Sequence, residues 1–118
     1  MIEIKCAAPD VAAVLCERAG VELQTVLAMT ERETLLGFAC MAQSGEEVTL
    51  SHLEAPDAAL TDALLRAALN CARSAGAKAA QILHKPLVLY MTQKGYLRES
   101  EPAQVEIANF FAKSACKA

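Results

Sequence analysis

The feature that most constrains the fold is a stretch from about Ala58 to Ser74 that reads as one long amphipathic helix between strand-like segments. At 100° per residue, Leu60, Leu64, Leu65, Ala68, Leu69 and Ala72 fill a broad apolar arc, while Asp62, Arg66, Asn70 and Arg73 lie opposite. A helix of this kind buries its apolar arc against a sheet. Gly76 ends it, and Ala79 to Leu83 forms an apolar strand of interior type. Because a long helix intervenes, that strand is expected to lie parallel to the one before the helix.

Upstream, Ile2 to Cys6 reads as a short strand. A helix follows from Pro9 to Ala19, with Pro9 in its first turn, Val11, Val14 and Leu15 buried, and Gly20 at its end. Thr25 to Met29 is the next strand, Thr30 to Glu33 a charged turn, and Thr34 to Met41 a strand rich in apolar residues. Ser44 and Gly45 mark a hairpin, and Glu47 to Leu53 continues the sheet with Val48 and Leu50 on one face. Three successive strands predict an antiparallel meander. Downstream, Pro86 to Lys94 is a short helix packed through Leu87, Tyr90 and Met91 and capped by Gly95. Tyr96 to Arg98 and Val105 to Phe110 are strand candidates, and Ala112 to Lys117 a frayed terminal helix. The predicted class is α/β: a single domain spanning 1–118, with a mixed sheet, an antiparallel N-terminal meander and helices on both faces.

Composition narrows the functions open to such a domain. Of 118 residues, 54% are apolar, with only five glycines and four prolines, which suits a folded chain. Eleven Lys and Arg against fourteen Asp and Glu give a formal charge of -3, without the basic surplus or stripe of a nucleic-acid binder. No apolar run is long enough for a membrane span, and the start MIEIKCAAPD lacks a signal-peptide core, so a cytoplasmic protein without membrane contact is expected. Cys6, Cys16, Cys40, Cys71 and Cys116 are odd in number and form no CxxC pair; they read as reduced thiols acting as small hydrophobes. Two histidines without a ligand-spacing pattern argue against a metal site, and no GxGxxG, GxxxxGK or GxSxG motif occurs.

The element order and several residues resemble the GCN5-related N-acetyltransferase (GNAT) family of acyl-CoA N-acyltransferases. The likeness runs from LLGFACMAQSGEEVTLSHL at 35–53, through the helix ALTDALLRAALNCARSAG and the strand AAQIL, to LVLYMTQKGYLRE at 87–99. His84 stands where the family has a polar residue at a strand end, Tyr90 and Met91 at its paired positions, and Gly95-Tyr96 at its Gly-Phe. The resemblance implies transfer of an acetyl group from acetyl-CoA, or binding of CoA, with a small-molecule or peptidyl amine as acceptor.

Two departures accompany it. The family places glycines before the long helix, where bare backbone N–H groups and the helix N-terminus receive the pyrophosphate; here Pro56, Ala59 and Thr61 occupy the corresponding positions. The tyrosine that many members use as general acid is Met91 here, which has no proton to give. The cofactor-binding candidates are accordingly Leu53, Ala59, Leu60, Thr61, Asp62 and His84.

The acceptor amine must be neutral when it attacks, which calls for a proton acceptor near the central strand. His52 and Glu54 are the local candidates, and Tyr90 is the remaining proton donor beside Met91. The expected function is N-acyl transfer; the alternative is a noncatalytic ligand-sensing or protein-interaction domain of the same fold. A homodimer is also expected, because adjacent Phe110 and Phe111 cannot both point inward from a regular strand.

Overall fold

The computed structural model describes residues 1–97 and 103–116, with side chains to residue 112. The elements in chain order are β1 (Ile2–Cys6), α1 (Pro9–Ala19), β2 (Thr25–Glu31), β3 (Thr34–Ser44), β4 (Glu47–Glu54), α2 (Ala58–Ser74), β5 (Ala79–Ile82), α3 (Lys85–Gln93), β6 (Gln104–Glu106) and α4 (Ile107–Cys116). One six-stranded sheet runs β1-β2-β3-β4-β5-β6. Neighbours are antiparallel except β4 and β5, which pair in parallel as the crossover helix requires. No helix among the described residues is long and apolar enough to cross a membrane.

The larger core lies on the α2 face. Leu64, Leu65, Ala68 and Leu69 are fully buried against Met29, Ala39, Leu50 and Ala80 of the sheet and Met91 of α3. A smaller cluster on the other face holds Ala12, Leu15 and Cys16 of α1 over Val26, Phe38 and Cys40. The face of α1 differs from expectation: Leu15 is buried, but Val11 and Val14 are 45% and 65% exposed. The small residues Ala12 and Cys16 face the sheet instead, and they bring the helix close to it. On α2, Asp62 and Arg66 are half-buried rather than on a free outer face, for a reason found at the candidate site.

Strands of the meander run longer than their apolar cores suggest. β2 extends to Glu31, so the turn shrinks from Thr30–Glu33 to Arg32 and Glu33, both with positive φ (50° and 70°). A two-residue hairpin turn needs that left-handed backbone to match the strand twist, and here it forms without glycine or asparagine.

The C-terminal segment requires the main correction. Val105 to Phe110 is not one strand: β6 covers only Gln104–Glu106, and α4 starts at Ile107, well before the frayed helix expected at Ala112 to Lys117. The helical course removes the conflict between the two phenylalanines. Phe110 is fully buried with its ring 4.8 Å from Tyr96, and Phe111 meets Phe110 edge to face at 5.1 Å. These rings therefore give no reason for self-association. Tyr96 and Leu97 form a bend rather than a strand, and Arg98, the third residue of that candidate, lies outside the described residues.

Two irregularities shape the end of β4. Its register to β3 passes from Met41↔Leu50 to Cys40↔His52, so Ser51 is an extra residue, a bulge that bends the strand. Beyond it, the backbone of Gly37 on β3 closely approaches the chain leaving β4. A Cβ at Gly37 would overlap the carbonyl oxygen of Glu54 and come within 3.1 Å of Ala55 Cα. Replacing Gly37 by Ala should destabilise the fold by about 1–3 kcal/mol, because only backbone could move away. Urea unfolding of the two proteins checks this, with the midpoint falling and the slope unchanged.

Candidate functional site

The site arises from unequal strand lengths. β5 pairs with β4 only from Glu47↔Ala79 to Leu50↔Ile82, and one further bond, Leu83 N–H to the Leu50 carbonyl at 2.9 Å, closes the ladder. β4 continues to Glu54 while the chain after β5 turns into α3, whose N-cap is His84 and whose first turn carries Pro86. The two chains separate, and a cavity of about 360 Å³ opens there. It is lined by Leu53, Glu54 and Ala55, by Thr61 of α2, and by His84, Pro86, Leu87 and Tyr90.

One wall is a cluster of polar and aromatic side chains. His52 Nε2 lies 2.9 Å from Glu54 Oε1, and Arg18 of α1 donates to Glu54 Oε2 at 3.2 Å. A carboxylate only accepts, so in this contact His52 Nε2 carries a proton and donates it to Glu54. The His52 ring stacks on Phe38 at 5.1 Å, the Arg18 guanidinium lies 5.7 Å from the same ring, and the His84 ring is 4.5 Å from His52. Glu54 and His84 face the cavity; His52 stands behind them. His84 is held below the ordinary imidazole value, chiefly by burial and then by His52, with Glu54 opposing. It is therefore neutral near pH 7.

The opposite wall is the start of α2. Asp57 is its N-cap: the carboxylate accepts from Leu60 N–H at 2.8 Å, and its carbonyl accepts both Thr61 N–H at 2.9 Å and Thr61 Oγ1 at 2.8 Å. One turn on, Asp62 Oδ1 accepts from the hydroxyls of Tyr90 at 3.3 Å and Tyr96 at 3.2 Å, while Oδ2 accepts from Arg66 Nε. This knot ties α2 to α3 and explains why Asp62 and Arg66 are drawn in. Burial, reinforced by the Asp62 charge, pushes the Tyr90 phenol up to about 12 and raises that of Tyr96.

The structure thus gathers His52, Leu53, Glu54, Thr61, His84 and Tyr90 at one cavity or directly behind it. Asp62 stands one residue back with its oxygens engaged, Leu60 is half-buried with its N–H on Asp57, and Ala59 is exposed on the first turn of α2. Arg18, Phe38 and Asp57 belong to the same constellation and were not singled out from sequence. Asp57 was legible as a helix cap directly before an apolar periodic run. Arg18 and Phe38 reach the site only through the packing of α1, which no local pattern announces. Among the described residues no group of three or more His, Cys, Asp or Glu could hold a metal ion. Cys40 is pushed up to about 12 by burial and by the adjacent Cys16, so it stays a thiol rather than a nucleophilic thiolate.

Two outcomes follow from these environments. Tyr90 and Tyr96 are the only tyrosines and there is no tryptophan, so tyrosinate absorbance reports the Asp62 knot directly. Asp62→Asn should bring both titrations down toward the ordinary value while leaving them above it, since burial remains. For His84, the unfolded chain takes up a proton first as pH falls below about 6.5, so this group's share of stability is complete above that value and lost on the acid side. Denaturant midpoints at about pH 7.5 and 5.5 should therefore differ less in His84→Gln than in the wild type.

No protein-family model and no curated protein matches the sequence. Solved structures do match. A GNAT-family protein from Desulfovibrio desulfuricans superposes with a TM-score of 0.70 at 10% identity, over 91% of this chain and 99% of that one. A GNAT-family acetyltransferase from Brucella melitensis, in complex with acetyl-CoA, gives 0.64 at 18% identity over 90% and 88%. The ribosomal-protein-S18-alanine N-acetyltransferase from Escherichia coli gives 0.64 at 13% identity over 91% and 94%. With the meander, the bulged β4, the crossover α2 and the parted β4 and β5 all in place, the chain has the fold of the GCN5-related N-acetyltransferases.

Proposed function

We propose that this protein is an acyl-CoA-dependent N-acyltransferase whose acceptor is a small or peptidyl amine. The observation that carries the reading is the gap between β4 and β5, with Glu54 and neutral His84 on its wall. Structures with CoA or acetyl-CoA bound are among those of the same fold, in the proteins from Escherichia coli and Brucella melitensis. Acyl-CoA, when bound, supplies the acyl group as a reactive thioester.

The chain's own groups would act as follows. Leu53, Leu87 and Pro86 give the gap apolar sides that suit a pantetheine arm, and backbone N–H groups of the bulged end of β4 would polarise the thioester carbonyl. His84 presents a neutral imidazole to the acceptor's ammonium and takes its proton, with the His52–Glu54 pair in contact to share the charge. Arg18 holds the second oxygen of Glu54 and keeps the first on His52. Tyr90, with its phenol near 12 and its hydroxyl donating to Asp62, is a poor acid toward a thiolate of ordinary pKa about 8.5. Such a thiolate needs little help to leave, so Tyr90 serves as cavity wall and Met91 as core.

The diphosphate end fits less well. Its place in this fold is the α2 N-terminus, where Asp57 already contributes a negative charge and takes up the Leu60 N–H. This favours the second reading, a noncatalytic ligand-sensing or interaction domain, to the extent that the charge defeats binding. Asp57→Asn keeps the cap and removes the charge. It should tighten CoA binding by about two- to fivefold in calorimetric titration at fixed salt, whereas Thr61→Asp should weaken it. Glu54→Gln and His84→Gln should each cut acetyl transfer to a panel of primary amines by about a hundredfold. No saturable binding of millimolar CoA to either the wild type or Asp57→Asn would sink the enzymatic reading.

A further inference from the structure

The two edges of the sheet are unlike. At one edge, β6 is three residues long and runs directly into α4. At the other, β1 is five residues, pairs among the described residues only with β2, and carries no proline or bulge. An edge of that kind is a template for another strand.

The ladder shows which of its backbone groups are free for this. Ala7 N–H donates to the Val26 carbonyl at 2.9 Å, one step beyond the Cys6↔Leu27 pair. By the alternation of an antiparallel ladder, Glu3 and Lys5 also turn their backbone groups toward β2. Ile2, Ile4 and Cys6 therefore direct N–H and C=O away from the sheet. Side chains alternate in the same way, with Ile4 packed on the α2-face core and the charged pair Glu3 and Lys5 on the opposite face, joined at 2.7 Å.

We propose that β1 pairs with β1 of a second copy of this chain, antiparallel about a two-fold axis at Ile4. The occupant is fixed by charge. In that register Ile4 faces Ile4, Ile2 faces Cys6, and Glu3 of each copy stands opposite Lys5 of the other. Both cross-strand ionic contacts are attractive, and the four charges alternate in sign. The three residues with outward backbone groups are the ones such a ladder uses, and the two sheets join into one of twelve strands. A strand shifted by two residues would lose both ionic contacts and set Lys5 opposite Lys5 or Glu3 opposite Glu3, so the sequence also sets the register.

Sedimentation equilibrium across a tenfold concentration range tests the arrangement. Wild-type protein should approach the mass of two chains. Glu3→Lys and Lys5→Glu each place like charges across the axis twice and should each weaken the dimer by at least about tenfold. An equimolar mixture of these two variants restores every opposite pair and should form a heterodimer, and the double variant Glu3→Lys/Lys5→Glu should dimerise as the wild type does. Both positions are at least half exposed, and circular dichroism confirms that each variant is folded. A one-chain mass for the wild type at the highest concentration overturns the proposal. So do undiminished dimers in both single variants, or a mixture that stays monomeric.

Discussion

The architecture turns on a mismatch between two neighbouring strands. β4 has eight residues and β5 four, so residues 51–54 of the longer strand have no strand partner on that side among the described residues. Unpaired backbone is costly where it is dry, and the chain resolves this by bending β4 at Ser51 and leaving its end beside an open cavity. The parallel join cannot simply be lengthened, because His84 caps α3 and Pro86 stands in its first turn. Gly37 then allows β3 to press against the end of β4 and holds Glu54 in place from the other side.

On that frame the two walls of the cavity have opposite electrostatic characters. The β4 wall holds a carboxylate already balanced by Arg18 and bonded to the His52 imidazole, with the His84 ring against that of His52, a set suited to moving a proton. The α2 wall spends its positive helix end on its own carboxylate, Asp57, and its next turn on tyrosine hydroxyls. Removing protons from a cation is favoured at the first wall, and holding a polyanion is disfavoured at the second. Any ligand of this cavity must reconcile the two.

Much of this was legible in sequence because the signals were periodic. The α2 arc, with Leu64, Leu65, Ala68 and Leu69, fixed a helix whose bounds match those observed, and with it the parallel β5. The elements that misled are those where local pattern and tertiary packing part. Val105 to Phe110 is β-branched and aromatic enough to read as a strand, yet Phe110 and Phe111 both find aromatic partners only on a helix. Val11 and Val14 look like the buried face of α1, yet close approach to the sheet favours Ala12 and Cys16. At the site, residues on one strand, such as His52 and Glu54, could be paired from their spacing, since i and i+2 share a face. Arg18 lies 36 residues away and could not be.

The cavity also marks a seam in the chain's history of assembly. β2 to β4 form from near neighbours in sequence, whereas β1 must wait for α1, and β5 must wait for α2 to cross before meeting β4 some 32 residues back. Glu54 belongs to the part built from local contacts, and His84 and Tyr90 to the part that docks later. A molecule seated between them spans the stretch where the sheet itself supplies no hydrogen bonds. It would act as a cross-strut, bracing the chain where its own backbone leaves it open.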